Sequence, residues 1–83
     1  MATEHVPLSR ATELFGQRVQ ARRNELGLSQ EALGHLVGSH WTFVGQVERG
    51  RRNLSLHNIL KLADGLGTDA SELVKDLPAP LAK

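Results

Sequence analysis

An all-α fold of five short helices is what this 83-residue chain predicts, and three observations carry the prediction. No segment sustains the period-two alternation of a half-buried strand. Glycine and serine punctuate the sequence every ten to fifteen residues or so, which is a helix-and-turn spacing. Four of the five stretches between them open on a capping Ser or Asp, and each carries apolar side chains three and four apart.

Taken in order, Ser9 caps a first helix whose apolar side runs through Phe15, Val19 and Leu26, with Leu14 beside it and Gly27 ending it. Ser29 caps a second, with Glu31 placed favourably in the first turn and Leu33, Leu36 and Val37 as its buried stripe, broken by Gly38. A third helix from about His40 to Arg49 sends Phe43, Val44 and Val47 inward, and Gly50 stops it before the run Arg51-Arg52-Asn53. Ser55 caps a fourth carrying Leu56, Ile59, Leu60 and Ala63, stopped by Gly65-Leu66-Gly67. Asp69 and Glu72 have capping-box spacing at the start of a fifth, which runs through Leu73 and Val74 and ends before Pro78. The tail after Leu77 is too rich in proline to continue it.

Composition narrows the function. The chain is 40% hydrophobic and 23% charged, enough for one modest core and too short for two. With no cysteine, disulfides, thiolate catalysis and cysteine-bound zinc are excluded. No apolar run approaches membrane-span length and the first residues lack signal-peptide order, so a cytoplasmic location is expected, with no membrane partner. Net charge is only +1, yet the arginines cluster: Arg18, Arg22 and Arg23 in one segment and Arg49, Arg51 and Arg52 in another. The last third, with Asp64, Asp69, Glu72 and Asp76, is mildly acidic.

The segment from Leu28 to Gly50 holds two short amphipathic helices joined by a tight glycine turn, the layout of a helix-turn-helix. At about 100° per residue, Trp41, Thr42, Gly45, Gln46 and Arg49 fall on the arc opposite the inward residues. That arc is narrow and hydrogen-bonding. A major groove admits one helix; Gln can donate and accept at adenine's edge, and Thr can bond either edge or touch thymine's methyl.

On these residues the sequence resembles the Cro/repressor-type, or xenobiotic-response-element, helix-turn-helix family from about Thr12 to Val74. The matches are Leu28-Ser-Gln-Glu with Leu33, Gly38, Val47-Glu-Arg-Gly50, Arg52-Asn53 with Ser55-Leu56, and the helix end from Leu62-Ala63 to Gly67. The run from Thr42 to Leu56 is also similar to the small controller proteins of restriction-modification systems, which would make the chain an autoregulatory dimer. The resemblance implies base contacts from Trp41, Thr42 and Gln46 and backbone-phosphate contacts from Ser29, Gln30, Arg49, Arg51 and Arg52, with Gln30 also bracing the recognition helix. It implies a buried structural ion pair between Arg23 and Glu48. The chain departs from the family pattern at the turn, where Ser39 and His40 leave open a helix start one residue earlier, and at Gly34, where alanine is usual.

The expectation is therefore a transcriptional regulator that binds palindromic double-stranded DNA as a homodimer through Leu73, Val74, Leu77 and Leu81. Its parts are a flexible segment over 1–8, a DNA-binding domain over 9–77 with its helix-turn-helix core at 29–49, and a tail over 78–83. Arg18 and Arg22 read as plain surface residues. His5, His35, His40 and His57 have no ligand-like spacing, no catalytic set can be assembled, and neither an enzyme nor a metal or cofactor site is expected. Two rival readings stand beside this one: an antitoxin that also binds a toxin protein, and a protein-interaction module anchored by Trp41 and Phe43.

Overall fold

The computed structural model describes residues 6–80, and five helices with no strand occur among them. The first, α1 (Arg10–Glu25), begins on a reciprocal capping box: the Ser9 hydroxyl accepts from the Thr12 backbone N–H, and Thr12 Oγ1 accepts from the Ser9 N–H. After it come α2 (Gln30–Val37), α3 (Trp41–Glu48), α4 (Leu56–Gly65) and the short α5 (Ala70–Val74), capped by Ser29, His40, Ser55 and Asp69. The α3 cap is His40, so this helix does not start a residue early. The Asp69 carboxylate accepts from the Ser71 N–H instead of from Glu72, so α5 has a simple cap and not the box its spacing suggests.

The core is Phe15 and Val19 of α1, Leu33 and Val37 of α2, Val44 and Val47 of α3, Leu62 and Ala63 of α4, and Leu66 and Leu73 beyond. Helix α3 packs across both α1 and α2, while α4 closes over α2 and α5 rests against α1 and α4. The crossing of α1 and α3 is unusually close. A Cβ on Gly16 would collide with the carbonyl of Val47 and stand 2.7 Å from that of Glu48, so only glycine fits there.

Three expected stripes are corrected by the structure. Leu36 is 57% exposed, because the buried line of α2 is Leu33-Gly34-Val37. Leu56 and Leu60 face solvent, since α4 turns Leu62 and Ala63 inward. Leu26 lies at the C-cap of α1, where the chain leaves the core, and is also exposed.

Arg18 and Arg22 are not plain surface residues either. Arg18 donates to the carbonyls of Leu73 and Lys75 at 3.2 and 2.6 Å, and Arg22 to those of Leu66 and Gly67 at 2.9 and 3.2 Å. Helix ends leave carbonyls without partners and carry partial negative charge, and the two guanidinium groups satisfy both needs at the ends of α5 and α4.

Candidate nucleic-acid interface

The turn between α2 and α3 fixes how α3 is presented. Gly38 takes the left-handed conformation at φ 70°, and the Ser39 N–H returns to the Gly34 carbonyl at 2.8 Å. Gly34 suits this return, because a Cβ there would meet the Ser39 carbonyl at 2.8 Å. His40 then starts α3, its Nδ1 accepting from the Thr42 N–H.

From behind, α3 is held by Val44 and Val47, which are buried, and by half-buried Phe43. Its opposite side presents Trp41, 47% exposed, with Thr42 and Arg49 exposed and Gln46 half-exposed. Gly45, expected on this outer arc, is buried instead: the ends of Gln30 and Arg49 cover it. The C-terminal tail leaves the arc open as far as it is described, because Pro78, Ala79 and Pro80 lie with Leu8 to Ala11 beside the start of α1.

The end of α3 is fixed by charge. Arg23 Nε and Nη2 reach the two carboxylate oxygens of Glu48 at 2.6 and 3.0 Å, and Gln30 Nε2 adds a third bond at 3.0 Å. Arg23 also donates to the Leu28 carbonyl, so one guanidinium ties α1, the loop before α2 and α3 together. Only 11% and 2% of the two side chains is exposed. The Glu48 hydrogen bond holds the Arg23 pKa above the ordinary arginine value, against the opposing effect of burial.

The other candidate residues are placed as follows. Ser29 Oγ caps α2 by accepting from Ala32. Arg51 donates to the Val6 carbonyl at 2.6 Å while the Leu8 N–H and the Thr12 hydroxyl both reach the Gly50 carbonyl. The stretch from Val6 to Leu8, expected in a flexible segment, is thus hydrogen-bonded to the residues that follow α3. Arg52 donates to Gln46 Oε1 at 3.0 Å and sits 5.0 Å from the centre of the Phe43 ring. Of the apolar residues expected at a two-fold contact, Leu73 is 2% exposed and belongs to the core, whereas Val74 is 39% exposed and Leu77 half-buried. Leu81 and His5 lie outside the described residues, and among those described no group of three metal-ligating side chains comes together.

Two short helices meeting at a left-handed glycine, the second propped outward, are a helix-turn-helix, and a profile of the helix-turn-helix family matches residues 19–73. The chain belongs to that family. Within it, the chain is of the Cro/repressor type and similar to restriction-modification controllers. Control protein C.BamHI of Bacillus amyloliquefaciens is 42% identical over 62 residues, which are 74% of this chain and 76% of that protein. The crystal structure of the controller C.AhdI from Aeromonas hydrophila superposes with a TM-score of 0.73 at 52% identity, covering 75% of this chain and 94% of that one. The c2 repressor of Salmonella phage P22, crystallised with a synthetic operator, gives 0.71 at 35% identity, covering 75% and 94%. These helix-turn-helix relatives are control proteins and repressors rather than enzymes. No described helix is long and apolar enough to cross a membrane.

Sequence reasoning missed three features of this helix-turn-helix: the grip of His40 on Thr42, the Arg52–Gln46 bond and the closeness enforced at Gly16. A glycine inside an otherwise regular helix signalled the last; the first two join residues whose bond depends on the turn on either side of α3.

Proposed function

We propose that this helix-turn-helix regulator binds a palindromic operator in double-stranded DNA sequence-specifically, as a homodimer, with α3 in the major groove. The observation that carries this reading is the exposure of Thr42 and Gln46 on a helix propped from behind by Val44, Val47 and Phe43. Trp41, Thr42 and Gln46 face bases; Ser29, Gln30, Arg49, Arg51 and Arg52 contact phosphates. Arg52, already bonded to Gln46, serves that reader as well as the backbone. Relatives that are restriction-modification controllers support regulation of such a system, and the operator complex of the P22 c2 repressor supports the DNA partner.

The two-fold contact runs over α4 and α5, where Leu56 (70% exposed), Leu60 (50%) and Val74 leave an apolar side unburied in one copy, with Leu77 and Ile59 at its edge. Two recognition helices about 34 Å apart would then read one palindrome. Selection from a pool of randomised duplexes tests the reading: a salt-sensitive complex enriched in a palindrome supports it. Binding without enrichment, or a monomer by light scattering at micromolar concentration with the enriched duplex present, contradicts it. A small protein copurifying stoichiometrically would instead mark an antitoxin.

A further inference from the structure

The hydrogen bonds at the start of α3 constrain what Thr42 can read. His40 Nδ1 is 3.2 Å from the Thr42 backbone nitrogen and 2.8 Å from Thr42 Oγ1. A backbone N–H can only donate, so Nδ1 is there as a lone pair and the ring carries its hydrogen on Nε2. An Nδ1 lone pair can bond a hydroxyl only by accepting from it. The Thr42 O–H is therefore directed at His40, and what the side chain turns outward is oxygen lone pairs and a methyl group.

We propose that His40 is a positioning residue that makes Thr42 an acceptor-only reader, selecting a base with an exocyclic amino group. In the major groove adenine offers N6–H₂ and cytosine N4–H₂ as donors, where guanine offers the acceptors O6 and N7 and thymine the acceptor O4 beside its methyl group. On the strand that Thr42 faces, adenine or cytosine satisfies the lone pair, and guanine or thymine sets acceptor against acceptor. A threonine left to rotate would serve donor and acceptor edges alike, so the selectivity belongs to the His40–Thr42 pair rather than to Thr42 alone. The inference rests on the proposed reading that Thr42 enters the groove.

Duplex selection with the full chain and four proteins tests it: wild type, Thr42→Val, His40→Asn and His40→Gly. Thr42→Val keeps the shape and removes the hydroxyl, so the position whose preference it erases is the one Thr42 reads. At that position the wild type is expected to favour adenine and cytosine together over guanine and thymine on the same strand by about fivefold, the value of one net hydrogen bond. Asn places an acceptor where Nδ1 stands and retains the preference. Gly withdraws the acceptor while remaining an acceptable N-cap, so the preference falls to roughly twofold or less with folding nearly intact, as circular dichroism would confirm. The preference at the Gln46 position stays in both. A wild-type pattern that favours adenine with guanine, or adenine with thymine, or guanine with cytosine, on the same strand, or an unaltered preference in His40→Gly, overturns the proposal. If Thr42→Val changes no position, the underlying placement of Thr42 in the groove fails, and the proposal falls with it.

Discussion

Replacing Arg23 with methionine removes one half of the pair that anchors the recognition helix. The Glu48 carboxylate would remain with 2% of its side chain exposed, and of its hydrogen bonds only that from Gln30 would survive. Stranding a buried charge in this way costs about 3–5 kcal/mol. A domain of this size has about 4–12 kcal/mol of stability in all, so Arg23→Met should lower the melting temperature by about 12 °C or more and bring the fold near its limit. Arg23→Met/Glu48→Met removes both charges together and should be more stable than either single variant, because neither carboxylate nor guanidinium is left desolvated without a partner. Urea unfolding followed by far-ultraviolet circular dichroism gives the three free-energy differences and hence the coupling. Single variants within about 1 kcal/mol of wild type, or a double variant whose loss equals the sum of the two, would refute the reasoning.

Gly16→Ala should destabilise the fold by about 2 kcal/mol or more, since its methyl meets backbone carbonyls of α3 that cannot swing aside; the same unfolding experiment checks it. Gln46→Ala should relax selectivity at one position per half-site by about 1–3 kcal/mol, whereas Arg49→Ala should weaken all duplexes alike and lower the salt slope by about one, both read by titration at several salt concentrations. The Asp69 carboxyl is held below its ordinary pKa by its hydrogen bonds to Ser71, side chain first and backbone N–H second. A lowered folded value means that the cap stabilises α5 above the ordinary carboxylate range of about pH 4 and loses that contribution as the pH falls through the lower value. The protection of the α5 amides, measured against the intrinsic exchange rate at each pH, should accordingly fall in acid in the wild type and not in Asp69→Asn, which keeps a neutral acceptor.

The helix caps were the most legible part of the fold because capping is local: a serine or aspartate and the N–H two or three residues on decide it, and Ser9, Ser29, Ser55 and Asp69 all cap. Which way each helix faces was less legible. Helical spacing gives two adjoining lines of leucines on α2 and α4, and only the position of the neighbouring helix decides that Leu33 and Leu62 are buried while Leu36 and Leu60 are not. The same holds for Gly45, which an ideal wheel puts outside but which the ends of Gln30 and Arg49 cover. Pairings distant in sequence escaped periodicity altogether. Arg18 and Arg22 look like solvated charges until α4 and α5 bring their carbonyl ends alongside α1. Arg23 and Glu48 were named through family resemblance, not spacing.

Placement of α3 in the groove is tested most directly by nuclear magnetic resonance of the labelled chain bound to its selected duplex. Close contacts from the Thr42 methyl and the Gln46 side-chain amide to base protons are the expected result. Binding that leaves both signals where they stand in the free protein, while signals from α4 and α5 move, would contradict it.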